Sequence, residues 1–173
     1  MLMTRSDLFR TNTKDDQEPY YGWRVTRLSS VGEMTAMLDA LVADLADLDY
    51  SSKDIFGIRL ALEESICNSI KHGHQYDSSK VVEVRLWVAP DRVVVEVKDE
   101  GRGFDPSRVP DPTTPEHLQR ACGRGLLLIR HYAAWVRHNS QGNCIAFCIC
   151  ASEVVFSEEA AIIPADALDY HMA

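Results

Sequence analysis

The period of the apolar residues changes several times along the chain, and each change predicts an element. From Tyr21 to Ser29 the run YGWRVTRLS alternates enough for a first strand. Met34, Leu38, Leu41, Leu45 and Leu48 then recur at three- and four-residue steps, with Glu33, Asp39, Asp44, Asp47 and Asp49 elsewhere. That pattern predicts an amphipathic helix over 31–49 with an acidic, solvated outer face. Ser51 or Ser52 can cap a second helix, whose stripe Ile55, Ile58, Leu62, Ile66 and Ile70 runs on to Gly73, a terminating position suited to a left-handed backbone. Two strands follow, Val81–Ala89 and Arg92–Asp99, joined by a tight turn at Pro90-Asp91. In the second, Val93, Val95 and Val97 share a face, and Asp99 continues their register toward the core.

From Glu100 to about Thr114 the prolines Pro106, Pro110 and Pro112, with Gly101 and Gly103, predict a long loop, of the kind that in a compact domain is more often functional than idle. A short helical stretch over Glu116–Ala121 leads to Gly123-Arg124-Gly125, after which LLLIRHYA reads as another helix. The last strands, about 134–140 and 143–151, meet in a hairpin turn at Gln141-Gly142-Asn143. Ile145, Phe147 and Ile149 alternate with Cys144, Ala146, Cys148 and Cys150, so neither face of the final strand is polar and both should be covered. The expected architecture is α+β: a two-layer sandwich with helices on one face of a mostly antiparallel sheet. The domain should span 21–151, between a flexible leader (1–20) and an acidic tail (152–173).

At 173 residues, 46% hydrophobic, the chain fits one domain with a real core. A formal net charge of −8 argues against nonspecific binding to nucleic acid or to an anionic membrane. The charged first twenty residues have neither a signal-peptide core nor a membrane span, which predicts a cytoplasmic protein. The five cysteines, Cys67, Cys122, Cys144, Cys148 and Cys150, are odd in number and lack C-x-x-C spacing. They read as reduced, mostly buried thiols rather than a disulfide framework or a zinc site.

Against this background three constellations carry chemistry. Glu64 and Asn68 lie one helical turn apart on the same side of the second helix, beside its apolar stripe, where a carboxylate and a carboxamide are costly unless they serve a ligand. Asp99-x-Gly101-x-Gly103 leaves a strand, and Gly123-x-Gly125 opens a helix. Each alone has an ordinary explanation: a surface pair, a turn, loop punctuation. Together they suit ATP. A strand-end carboxylate can accept from an exocyclic amine such as adenine's, and glycines let backbone approach a flat base. A carboxamide oxygen suits Mg²⁺, Gly-x-Gly before a helix exposes N–H groups to phosphate, and Glu64 stands where a base would be wanted. If the hairpin 81–99 packs on the second helix, Asp99, Glu64 and Asn68 surround one cavity. Neither a P-loop nor a G-x-G-x-x-G is present.

In this order, ALEESICNSIKHG, DEGRGFDP and GRGLLLIRHYA resemble the boxes of the Bergerat-type ATP-binding domain of the GHKL superfamily, most closely its anti-sigma-factor serine/threonine kinases of the RsbW type. The resemblance covers about Trp23 to Ala151. It implies Glu64 as general base, Asn68 as Mg²⁺ ligand, Asp99 as the adenine-reading acid, Gly101, Gly103, Gly123 and Gly125 around the nucleotide, and Arg124 in or beside a phosphate lid. Where the family often has a threonine touching the nucleotide, this chain has Asn143-Cys144. His72 matches a histidine common in the family, but in a last helical turn its ordinary role is to meet the helix carbonyls. The implied function is an anti-sigma regulator that phosphorylates a small anti-sigma-antagonist protein and in its other state binds a sigma factor or similar regulator. A non-catalytic ATP-sensing binding module is the alternative. The resemblance and the two-sided final strand also point to a homodimer, with the tail as the other candidate cover for that face.

Overall fold

The computed structural model of the protein describes residues 10–11, 22–105 and 125–152. Its elements are β1 (Arg10–Thr11), β2 (Trp23–Leu28), α1 (Val31–Asp47), α2 (Ser52–Asn68), a π-helical turn over Ser69–Gly73, β3 (Val82–Val88), β4 (Arg92–Lys98), α3 (Gly125–Tyr132), β5 (Trp135–His138) and β6 (Cys144–Cys150). The strands form one sheet in the order β1-β2-β3-β4-β6-β5. Every neighbouring pair is antiparallel. β1, two residues of the expected leader, pairs with Arg24 and Val25 of β2.

Local chemistry starts each helix. At α1 the Ser30 hydroxyl accepts from Glu33 N at 3.3 Å. The Glu33 carboxylate returns the favour by accepting from Ser29 N at 2.7 Å and Ser30 N at 3.2 Å, a capping box. At α2 Ser51 is the cap, accepting from Asp54 N at 3.2 Å. The Asp54 carboxylate in turn holds the end of the sheet, accepting from Ser152 N at 3.0 Å and Ser152 Oγ at 2.8 Å.

The two layers meet over the stripe read from the sequence. Ile58, Leu62 and Ile66 of α2 are fully buried against Val84, Val95, Val97 and Phe147, with Leu38, Leu41 and Leu45 of α1 in the same cluster. Register places Val93, Val95 and Val97 opposite Ile149, Phe147 and Ile145, so both central strands aim these residues at the helices. On the opposite face Val94, Glu96, Cys144, Ala146 and Cys148 are buried as well, as the two-sided apolar pattern of β6 required. Arg85 ion-pairs with Glu96 there at 3.2 Å and lies over the Trp23 ring.

Two expectations need correction. Asp44 is not on a solvated face: it is 3% exposed and ion-paired with Arg24, whose position opposite Leu86 places it on the core face of β2. An acid at the flank of a helical stripe is exposed only if the next layer leaves it so, and here β2 runs beneath it. Gly73 does end the helix, but its φ is not positive; the left-handed residues are Gln75 (φ 54°) and Tyr76 (φ 61°). Gly73 is instead required by crowding, as the site shows.

Candidate functional site

The end of α2, the ends of β4 and β6, and the start of α3 enclose a cavity of about 410 Å³. Asn68, Ser69, His72 and Gly73 form one wall, Val97 and Asp99 the floor, His138 and the 142–145 strand start the far side, and Gly125, Leu126 and Ile129 the flank. Such a volume suits a ligand of nucleotide size. His72 thus faces a cavity in addition to ending a helix.

Asp99 sits where its register in β4 predicts, and is 9% exposed. Its N–H donates to Asn143 O at 2.9 Å, and Asn143 Nδ2 donates to Asp99 O at 2.9 Å. Gly101 N donates to Asp99 Oδ1 at 2.7 Å, which leaves Oδ2 for a ligand in the cavity. Glycine is needed on both sides of this carboxylate. A Cβ at Gly73 would land on the Asp99 side chain, and one at Gly101 would come within 2.5 Å of Gly73 O and 2.6 Å of Asp99 Oδ1. Gly103 (φ 74°) and Gly142 (φ 75°) lie where the 99–105 segment crosses the β5–β6 turn, and a Cβ on either would overlap the other segment's carbonyl.

At the other end of the cavity stand Glu64 and Asn68, both half-buried. Asn68 lines the cavity; Glu64 does not, but its carboxylate lies against Gly125, which does. A Cβ at Gly125 would come within 2.5 Å of Glu64 Oε2 and 3.0 Å of Asn68 Nδ2. Among the described residues neither side chain has a hydrogen-bond partner. Gly125 and Leu126, the first described residues of α3, line the cavity. Gly123, Arg124, the prolines of the long loop and the 116–121 stretch lie outside the described residues.

Several residues that build the site were not singled out in the sequence. Asn139 Oδ1 accepts from the N–H groups of Gly142 (2.8 Å), Asn143 (3.1 Å) and Cys144 (3.2 Å), and its amide donates to Asn143 Oδ1 at 2.8 Å. The asparagine opening the turn NSQGN was its only trace. His138 packs edge-on against Phe104, ring centroids 5.8 Å apart, at the cavity mouth. Burial, with Arg130 adding to it, holds His138 below the ordinary histidine value. His74, 4% exposed, accepts from Glu100 N at 3.1 Å through Nε2.

Much of the chain is similar in sequence to known proteins. Residues 26–149 match the family described as the histidine kinase-like ATPase domain. An anti-sigma F factor of Clostridium perfringens is 30% identical over 93 residues, 52% of this chain and 66% of that protein. An anti-sigma F factor of Heyndrickxia coagulans is 30% identical over 105 residues, 58% and 71% of the two chains. The serine-protein kinase RsbW of Bacillus licheniformis is 33% identical over 73 residues, 40% and 46% of the two. The chain therefore spans just under two thirds of the Clostridium perfringens relative's length. With more than half of its length matched, the chain belongs to the histidine kinase-like ATPase family of the GHKL superfamily, on the branch of the anti-sigma F factors and RsbW-type kinases.

Proposed function

We propose that the protein binds Mg-ATP and transfers its γ-phosphoryl group to a serine or threonine of a small anti-sigma-antagonist-like protein, acting in the cytoplasm and alternating between that partner and a sigma factor or similar regulator. The observation that carries this reading is the polarity of one cavity: a buried carboxylate between close-packed glycines at one end, and at the other the Asn68 carboxamide with the Glu64 carboxylate beside it, neither with a hydrogen-bond partner among the described residues.

The Asp99 Oδ2 accepts from the adenine amine, while the Gly73–Gly101 contact keeps the backbone low enough for a flat base. The start of α3 offers N–H groups to phosphate, with Gly123 and Arg124 assigned beside it on the family pattern. Asn68, whose amide lines the cavity at the phosphate end, would hold Mg²⁺, which when bound neutralises phosphate charge. Glu64 takes the proton from the partner's hydroxyl as that oxygen attacks, and positioning supplies most of the acceleration. Among the described residues no helix is long and apolar enough to cross a membrane. A homodimer remains part of the proposal.

One observation favours the alternative of a nucleotide-gated binding module: Glu64 stands at the cavity's edge rather than in its lining. The two readings separate in a transfer assay with γ-labelled ATP, Mg²⁺ and soluble extract of the source organism, run beside Glu64→Gln. A small protein labelled only by the native chain, with Glu64→Gln still binding ATP, is the expected result. Absence of label despite ATP binding would overturn phosphotransfer and leave the binding module.

A further inference from the structure

The carboxylate assigned to the base can act only if the backbone over 99–101 holds it still. Most of the bonds that do so come from the sheet and its own turn: the paired Asp99–Asn143 bonds and Gly101 N to Asp99 Oδ1. The Glu100 side chain adds a bond by accepting from Val81 N at 2.9 Å. One bond reaches across from the helical layer. His74, just past α2 and its π turn, is 4% exposed, and its Nε2 accepts from Glu100 N at 3.1 Å. In this bond the imidazole nitrogen is the acceptor and the Glu100 amide the donor.

The chain bends at some cost to bring that ring into place. The helix widens into a π turn over Ser69–Gly73, and His74 N closes it on Ser69 O at 2.8 Å. Two consecutive non-glycine residues, Gln75 and Tyr76, then adopt left-handed φ values of 54° and 61°. Both are unfavourable for residues with a Cβ, and such strain tends to persist where a site requires it. The π turn is also a rare form that is frequently met at functional sites.

We infer that His74 is a positioning residue for nucleotide selection: by accepting the Glu100 N–H from the helical layer, it fixes the Asp99 carboxylate at the height where it accepts from an exocyclic amine. This rests on the reading of Asp99 as the base-reading acid. A histidine that merely satisfied a buried N–H would affect every nucleotide alike. One that positions Asp99 affects discrimination between a base bearing the amine and one without it.

The test is calorimetric titration of the full chain with Mg-ATP and Mg-ITP, for wild type, His74→Leu and His74→Gln. ITP replaces the exocyclic amine with a carbonyl, which cannot donate to Asp99. The wild type is expected to prefer ATP. His74→Leu should reduce that preference about tenfold, the scale of one hydrogen bond to a charged group. His74→Gln, whose Oε1 can accept from Glu100 N, should recover most of it. An undiminished preference in His74→Leu, or an equal loss in His74→Gln, overturns the inference. A wild type with no preference overturns the Asp99 reading and the role of His74 with it, so the two failures are distinguishable. If His74→Leu does not fold, His74→Met carries the same test: its preference for ATP over ITP should fall about tenfold relative to the wild type, and an undiminished preference overturns the inference.

Discussion

Replacing Gly101 with alanine tests whether the crossing of two backbones, rather than loop flexibility, is why glycine stands there. The added Cβ would sit 2.5 Å from Gly73 O, 2.6 Å from Gly73 Cα and 2.6 Å from Asp99 Oδ1. Carbon contacts are comfortable at about 3.5–4.0 Å, so the segments must part by roughly 1 Å. The two Gly73 contacts are with backbone and cannot be relieved by rotating a side chain; only the Asp99 carboxylate can turn aside. Gly73 is backbone at the end of the π turn, which Ile66 and Ile70 anchor in the core, and Asp99 is tied to Asn143 in both directions. Overpacking of this kind costs about 1–3 kcal/mol, which in a chain of this length lowers Tm by roughly 2–12 °C. The same displacement pushes the Asp99 carboxylate, so stabilisation by Mg-ATP, about 2.7 kcal/mol at 100 times Kd, should shrink in the variant. Gly32→Ala is the internal control: its Cβ would meet nothing nearer than Ser30 Oγ at 4.0 Å, within α1. Alanine there should be neutral or stabilise by up to about 1 kcal/mol. Differential scanning fluorimetry of both variants, with and without Mg-ATP, reads the result. A Gly101→Ala protein that melts like Gly32→Ala and responds equally to nucleotide would refute the crowding argument.

The thiols should divide by burial. Cys67 is exposed, though partial burial and then Glu63 and Glu64 raise its value, whereas burial pushes Cys144 and Cys148 up to about 12, so iodoacetamide at mildly alkaline pH should label Cys67 in the native protein and the other two only after unfolding. Peptide mass mapping checks this, and native labelling of Cys148 at the rate of Cys67 would contradict it. His138 should make stability pH-dependent. Burial, and then Arg130, depress its folded value below the ordinary 6.5, so the unfolded chain binds more protons and stability is lost as pH falls through 6.5 toward the folded value. His138→Gln should remove that part of the slope in urea unfolding measured from about pH 8 to about pH 5; parallel curves for the two proteins would show that His138 contributes none of it.

Much of the site was legible in the sequence because it depends on short-range periodicity. The stripe from Ile55 to Ile70 sets which side of α2 meets the sheet, and that placed Glu64 and Asn68 at the edge of the core. The alternation of Val93, Val95 and Val97 carried Asp99 to the floor of the cavity. What was misread involves residues whose partners are far away in the chain. Asp44 looked solvated because Arg24, which pairs with it in the core, lies twenty residues earlier on another layer. Gly73 looked like a left-handed terminator because its real constraint, the Asp99 side chain, belongs to a strand two elements on. Asn139 gave little signal, since its role is to collect three N–H groups of a turn whose path had not been drawn.

The sequence by itself determined the elements, the faces they bury and the side chains offered to a ligand, because these follow from side-chain period and backbone preference within a few residues. Only the tertiary structure decided which glycines are compelled by contact, which acid is paired in the core, and that His74 reaches Glu100. Those outcomes depend on ångström-scale approach between segments distant in the chain, which hydrophobic period does not encode.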